Sequence, residues 1–261
     1  AFPGCATCPI FAGCQGNLAT RQKSKAAALK SIPVTIQDFR DSDLDTIISQ
    51  LMCWKPSTTG LIYPSFDVDK HVITASAMAK MVTGEDHPAS MSKHELINLL
   101  RHNKEVKFFT GMDHGYTHPF VAVSGALVGQ RLYIFDAIYL KQVELHDKIE
   151  HCKSKITWSP IVFSDTAALD QNKAFIAAGF ALASWAKTEI NIGIECVRQK
   201  LRPGIDLEPE IYFLHNDPGV AALVNEMQKY HWDVDGGGTL LDIPVKVDDD
   251  GCDALRYLCQ N

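Results

Sequence analysis

The chain has 261 residues, 46% hydrophobic and 21% charged, with 17 Gly and 12 Pro, a balance that supports a sizeable core and excludes collagen-like, coiled-coil and largely disordered classes. Its 25 basic and 31 acidic side chains, net charge −6, argue against holding a nucleic acid by bulk attraction to phosphate, and no run of about 18 apolar residues is present to span a bilayer. The charge is uneven, with 12 basic and 10 acidic side chains in residues 1–110 but 13 and 21 in residues 111–261, so the second part either avoids polyanions or meets them through bound cations.

The N-terminus, Ala1-Phe2-Pro3-Gly4-Cys5, lacks an initiator Met, a basic leader and an apolar stretch, which is the pattern of a piece of a longer polypeptide rather than of a secretory signal. Cys5-x-x-Cys8 places two thiolates on one turn. Cys14 and Cys53 complete a candidate tetrahedral zinc site, with His71 an alternative to Cys53. Cys152, Cys196, Cys252 and Cys259 are scattered singly through apolar or helical surroundings and are expected to pack in the core. Arg21, Lys23, Lys25 and Lys30 suit a short helix with a charged outer face, and Leu44, Ile47, Ile48 and Leu51 recur at helical spacing behind Ser42-Asp43. Tyr63 to His71 reads as irregular. A further helix is expected over 92–102, opened by a Ser92/Glu95 capping box.

From Val106 the pattern shifts to period 2. Lys107 to Met112 reads as a strand running into Asp113, Phe120 to Val128 as a second and, after the Gly129-Gln130 turn, Arg131 to Tyr139 as a third. A helix over 141–153 then leads to a strand, Ile161 to Ser164, which stops at Asp165. Further helices are expected over 169–178, 189–201 and 217–228 and from 249, with strands over Phe180–Trp185 and Glu210–Leu214 between them. A meander followed by alternating helices and strands is an α/β sheet with antiparallel and parallel parts.

Sites in open α/β sheets lie at strand ends, and here two strands end on aspartates, Asp113 and Asp165. The last helix opens with Asp248-Asp249-Asp250-Gly251-Cys252-Asp253, whose i,i+3 and i,i+4 spacings put two or three carboxylates on one face. Converging carboxylates raise one another's pKa values unless a multivalent cation compensates, and oxygen-only ligands suit Mg²⁺ or Mn²⁺. Two such ions about 4 Å apart are enough to hydrolyse a phosphodiester without any nucleophilic side chain. That chemistry also reconciles an acidic half with a polyanionic substrate.

Thr110-Gly111-Met112-Asp113-His114-Gly115 with His118-Pro119, then Leu132-Tyr133-Ile134-Phe135-Asp136, Phe163-Ser164-Asp165-Thr166-Ala167, Ala186-Lys187-Thr188 with Ile190 to Val197, and Asp249 to Tyr257 together resemble, in motif order, the nuclease portion of phage terminase large subunits. The resemblance covers about 105–261. It implies a ribonuclease H-like mixed sheet flanked by helices, behind an accessory module over 1–104 that the cysteines could stabilise with zinc. It further implies a metal-dependent endonuclease that cuts concatemeric double-stranded DNA during genome packaging, using two Mg²⁺ or Mn²⁺ ions.

By this resemblance Asp113 and Asp165 are metal ligands and catalytic, and the remaining ligands come from Asp250, Asp253 and Asp249. Many relatives have His where this chain has Asp250, which leaves open which two of those three bind. His114, His118 and Lys187 become candidates for contacting DNA. No Gly-x-x-x-x-Gly-Lys-Ser/Thr loop occurs in the chain, so the family's ATPase motor is expected elsewhere in the same polypeptide. The implied partners are that motor, the small terminase subunit and the portal, in the cytoplasm of the infected host cell. The alternatives are a Holliday-junction resolvase or integrase-like nuclease, and a catalytically silent binding module whose acids are caps and solvated turns.

Overall fold

The alternating apolar residues that begin at Lys107 place their side chains on opposite faces of a pleated sheet, and helices cover both faces. The computed structural model describes residues 60–158, 160–183, 189–204, 206–236 and 238–260. In chain order these form α1 (Val68–His71), β1 (Val72–Ile73), α2 (Ala75–Thr83), α3 (Lys93–His102), β2 (Lys107–Asp113), β3 (Phe120–Val128), β4 (Arg131–Leu140), α4 (Leu145–Lys155) and β5 (Ile161–Ser164). They continue with α5 (Leu169–Ala177), β6 (Ala181–Leu182), α6 (Ile190–Leu201), β7 (Ile211–Leu214), α7 (Pro218–Lys229), β8 (Trp232–Val234), β9 (Leu240–Pro244) and α8 (Asp250–Cys259).

Seven strands form one sheet in the order β1-β7-β4-β3-β2-β5-β6, and β8 and β9 form a separate antiparallel pair. β3 runs antiparallel to β2 and β4, and every other pairing in the large sheet is parallel. Val121, Val123, Leu132, Ile134 and Phe213 pack against α6, α7 and α8 on one face. Phe120, Ala122, Tyr133, Phe135 and Leu214 pack against α2, α3, α4 and α5 on the other. The result is the mixed, helix-flanked sheet expected from the residues.

Several boundaries differ for local reasons. α4 starts at Leu145 rather than 141, because Gln142 adopts a positive φ of 56° that a helix does not allow. Within the strand expected over Phe180–Trp185, Ala181–Leu182 pairs with β5, and residues 184–185 lie outside the described residues. Tyr63 to His71, expected to be irregular, closes with the short helix α1, capped by Asp67. The capping box at Ser92 is present, with Ser92 N donating to Glu95 Oε2 at 2.7 Å and Glu95 N to Ser92 Oγ at 3.3 Å.

The compact unit starts at Gly60, not at residue 105. The reason is long-range pairing: β1 joins the sheet beside β7, and Ile62 and Tyr63 enter the same core as α6 to α8. Two residues in a strand leave no periodicity to read, so sequence pattern assigns this segment to the N-terminal module.

A buried ion pair ties α3 to the sheet. Lys93 Nζ, in the first turn of α3, donates to Asp217 Oδ2 at 2.6 Å and to Asp136 Oδ1 on β4. Asp217 Oδ1 meanwhile accepts the Val220 amide at 2.9 Å and so caps α7. Burial pushes the Asp136 carboxyl up and Lys93 pulls it back. Lys93→Met is therefore expected to lower unfolding free energy by about 2 kcal/mol in urea titrations, because two nearly buried carboxylates lose their common counter-charge. An unchanged midpoint would mean that the pair is energetically neutral.

Candidate metal-dependent active site

β2 and β5 are adjacent and parallel, with Met112 level with Ser164. The next residue along each strand is an aspartate, so Asp113 and Asp165 leave the same sheet edge side by side. α8 lies across β2, and Gly111 lets it approach: a Cβ at that position would stand 2.0 Å from the Ala254 carbonyl oxygen. The start of α8 thereby brings Asp249, Asp250 and Asp253 toward the two strand ends.

The electrostatics record this convergence. The Asp113 carboxyl is pushed up to about 7, first by burial and then by the charges of Asp253, Asp250 and Asp165, with Lys246 acting in the opposite sense. Burial also raises Asp250, aided by Asp249 and Asp253, while His118 opposes the rise from a distance of 4.0 Å, Nδ1 to Oδ1. Asp165 Oδ1 accepts the Ala167 amide at 2.9 Å, and its carbonyl accepts from Asn172 Nδ2 at 2.8 Å, which fixes the turn after β5.

Cations compensate the five acids unequally. Lys246 Nζ lies 2.8 Å from both Asp249 Oδ2 and Asp253 Oδ2, and Arg256 Nη2 lies 3.1 Å from Asp253 Oδ1. Asp165 and Asp250 have no lysine or arginine ion partner among the described residues. No three His, Cys, Asp or Glu side chains among the described residues already stand close enough to enclose a metal ion. The donor set nonetheless fits a divalent cation. It consists of oxygen ligands carrying more negative charge than their neighbours balance, and burial among those acids pushes the Asp113 carboxyl up.

A residue invisible to sequence reading sets the helix in place. Glu226, in the last turn of α7, accepts from the Gly251 amide at 2.7 Å and the Cys252 amide at 3.3 Å, so a carboxylate satisfies the start of α8. Gly251 leaves room for both side chains, since a Cβ would come within 2.0 Å of Tyr139 Oη and 2.6 Å of Glu226 Oε2 and displace them. Burial pushes the Glu226 carboxyl up to about 7, against the pull of those amides. No local pattern marks Glu226. Lys246 did carry a signal, standing three residues before Asp249, but only the loop conformation turns that spacing into contact.

The histidines divide. His114 is packed between Phe120 and Phe175, with ring centroids 5.6 and 5.5 Å away, and its Nε2 donates to Asn172 Oδ1 at 3.1 Å. Burial lowers it to about 4, and its ring packs α5 against the sheet. His118 is exposed at the rim beside Asp250. The loop between them is shaped by Gly115, whose absent Cβ would meet the His118 carbonyl oxygen at 2.4 Å, and by buried Lys148, which donates to the Gly115 carbonyl.

Lys187 and the cysteines Cys5, Cys8, Cys14 and Cys53 lie outside the described residues. His71 is buried, with Nε2 donating to the Leu201 carbonyl at 3.0 Å and Nδ1 2.8 Å from the Asp67 carbonyl oxygen, so the alternative zinc ligand is engaged within its own fold. Cys152, Cys252 and Cys259 are buried and free, and Cys196 is half-buried and free.

No protein-family model matches the sequence, and no curated protein does either. Solved structures do match. The large terminase of a thermophilic bacteriophage, in complex with ATP-gamma-S, aligns with a TM-score of 0.65 at 20% identity, over 89% of this chain and 53% of that one. The nuclease domain of the P22 large terminase aligns at 0.52 and 14% identity, over 76% and 90%. The nuclease domain of the bacteriophage SPP1 large terminase, with bound Mn, aligns at 0.50 and 15% identity, over 66% and 92%. The chain thus spans about half the length of the thermophilic phage's large terminase and most of the isolated nuclease domains. The chain accordingly shares the ribonuclease H-like fold of phage large-terminase nuclease domains.

Proposed function

We propose that this chain is the nuclease portion of a viral genome-packaging terminase, cutting concatemeric double-stranded DNA with two Mg²⁺ or Mn²⁺ ions. The observation that carries the reading is the convergence of Asp113, Asp165 and the start of α8 at one sheet edge, with Asp113 pushed up by burial and then by its acidic neighbours. The likeness to a nuclease domain holding Mn supports it. When bound, the ions supply the Lewis acidity that phosphodiester hydrolysis needs.

The side chains divide the remaining work. Asp113, Asp165 and Asp250 are the ligands least engaged by lysine or arginine, Asp253 and Asp249 are the ligands on the far side, and Glu226 holds the helix that presents them. His118, exposed 4.0 Å from Asp250, is the histidine this reading assigns to a DNA phosphate. The role proposed for Lys187 rests on its motif, and that of zinc at Cys5, Cys8, Cys14 and Cys53 on cysteine spacing. The ATPase motor, small subunit and portal are the partners this reading implies, in the cytoplasm of an infected cell.

The test is cleavage of supercoiled plasmid by the full chain in Mn²⁺ or Mg²⁺, against EDTA and against Asp165→Ala. Metal-dependent nicking and linearisation, reduced about a thousandfold in the variant, is expected. Equal activity in the variant would place the site elsewhere, and preference for four-way junctions over linear duplex would favour a resolvase.

A further inference from the structure

We propose that Lys246 is a built-in counter-cation that competes with the second divalent ion for Asp249 and Asp253, so that the two ions bind with unequal affinity. This rests on the metal-site reading above. Lys246 Nζ sits 2.8 Å from a carboxylate oxygen of each aspartate, and its charge also reaches Asp113. Asp249 is 5% exposed, a position in which an ionised carboxylate needs a positive partner. Lys246 is that partner.

The cations divide the site into two halves. Asp113, Asp165 and Asp250 have no direct lysine or arginine ion pair among the described residues, so a first ion enters there without displacing a lysine or an arginine. Asp253 is engaged by Lys246 on one oxygen and Arg256 on the other, so a second ion competes there with charges already in place. Arg256 is buried, with its guanidinium 4.6 Å from the Tyr257 ring centroid. The Lys246 side chain is half exposed on a flexible four-carbon stem. It can therefore swing into water, where an ammonium is well solvated, while the arginine is held by packing.

Manganese titration of the full chain, followed by calorimetry and by the paramagnetic signal of free Mn²⁺, tests this in wild type, Lys246→Met and Lys246→Arg. Wild type is expected to show one tighter and one weaker class of Mn²⁺. Lys246→Met is expected to tighten the weaker class by about tenfold, leaving the tighter class nearly unchanged, while Lys246→Arg remains like wild type. In EDTA the methionine variant melts at a lower temperature than wild type, and Mn²⁺ raises its melting temperature by more. If it does not fold without metal, Lys246→Gln carries the same comparison, since its amide still donates to one carboxylate. Identical isotherms in wild type and variant, or loss of the weaker class in the variant, overturn the competition and leave the metal site standing. Absence of Mn²⁺ binding in every form overturns the metal site itself, and this inference with it.

Discussion

Asp113→Asn is expected to lower DNA cleavage by about three orders of magnitude while making the metal-free protein more stable by about 2 kcal/mol at pH 8. The two effects have one cause. The carboxyl sits among Asp253, Asp250 and Asp165 in a buried position, which suits it to hold a cation and penalises its charge when no cation is there. The sign in pH follows from its rise from 3.8 to about 7. Below about pH 4 the group is protonated in both folded and unfolded chains, and no penalty exists. Between 4 and 7 the unfolded chain gives up the proton while the folded one retains it, so stability declines as pH rises, and above 7 the loss is complete. Glu226, also near 7, adds a slope of the same sign that the Asn variant keeps. Thermal melts in EDTA at pH 5 and pH 8, set beside plasmid cleavage in Mn²⁺, read both effects. A stability gain of equal size at the two pH values would detach it from the titration of Asp113, and undiminished cleavage would remove Asp113 from the chemistry.

Gly111→Ala is the substitution expected to damage the fold most. A methyl group there would lie 2.0 Å from the Ala254 carbonyl oxygen and 3.0 Å from the Leu258 Cβ, and neither the β2 backbone nor that of α8 can yield as a side chain would. The helix has to lift off the sheet, which opens the packing of Leu255 and Leu258 and carries Asp250 and Asp253 away from Asp113. A loss of about 3 kcal/mol in the urea midpoint is expected, together with weakened Mn²⁺ binding in whatever folds. Gly111→Ser should be no better, since it adds the same Cβ. Near-wild-type stability in both would show that α8 docks with more tolerance than this contact allows.

Gly111 also illustrates what can be read along a chain. It stands in the Thr110-Gly111-Met112-Asp113 motif, so its importance was visible in the sequence, but its purpose was not. That purpose is the approach of a helix about 140 residues later. The same division runs through the site. Period-2 apolar runs ending at Asp113 and Asp165 placed both acids at strand ends, and the i,i+3 spacing put Asp250 and Asp253 on one helix face, because periodicity records directly which side of an element is buried. The burial of Cys152, Cys252 and Cys259 follows from the same apolar context.

Tertiary structure alone decided the rest. A two-residue strand such as β1 has no period, so its pairing with β7, and with it the inclusion of residues 60–104 in the compact unit, depends on contacts about 140 positions apart. The β8–β9 pair, three and five residues long, also went unread. His114 and His118 are four residues apart and chemically identical, yet one is clamped among aromatic rings and the other faces solvent beside Asp250, because the turn at Gly115 reverses the chain between them. Lys246 and Glu226 acquire their roles only where a loop or a helix happens to pass. The residues along the chain thus determined which acids could meet, through local patterns of burial. Which of those acids are balanced by a protein cation, and which remain to be balanced by a metal, was decided by distances that only the folded chain establishes.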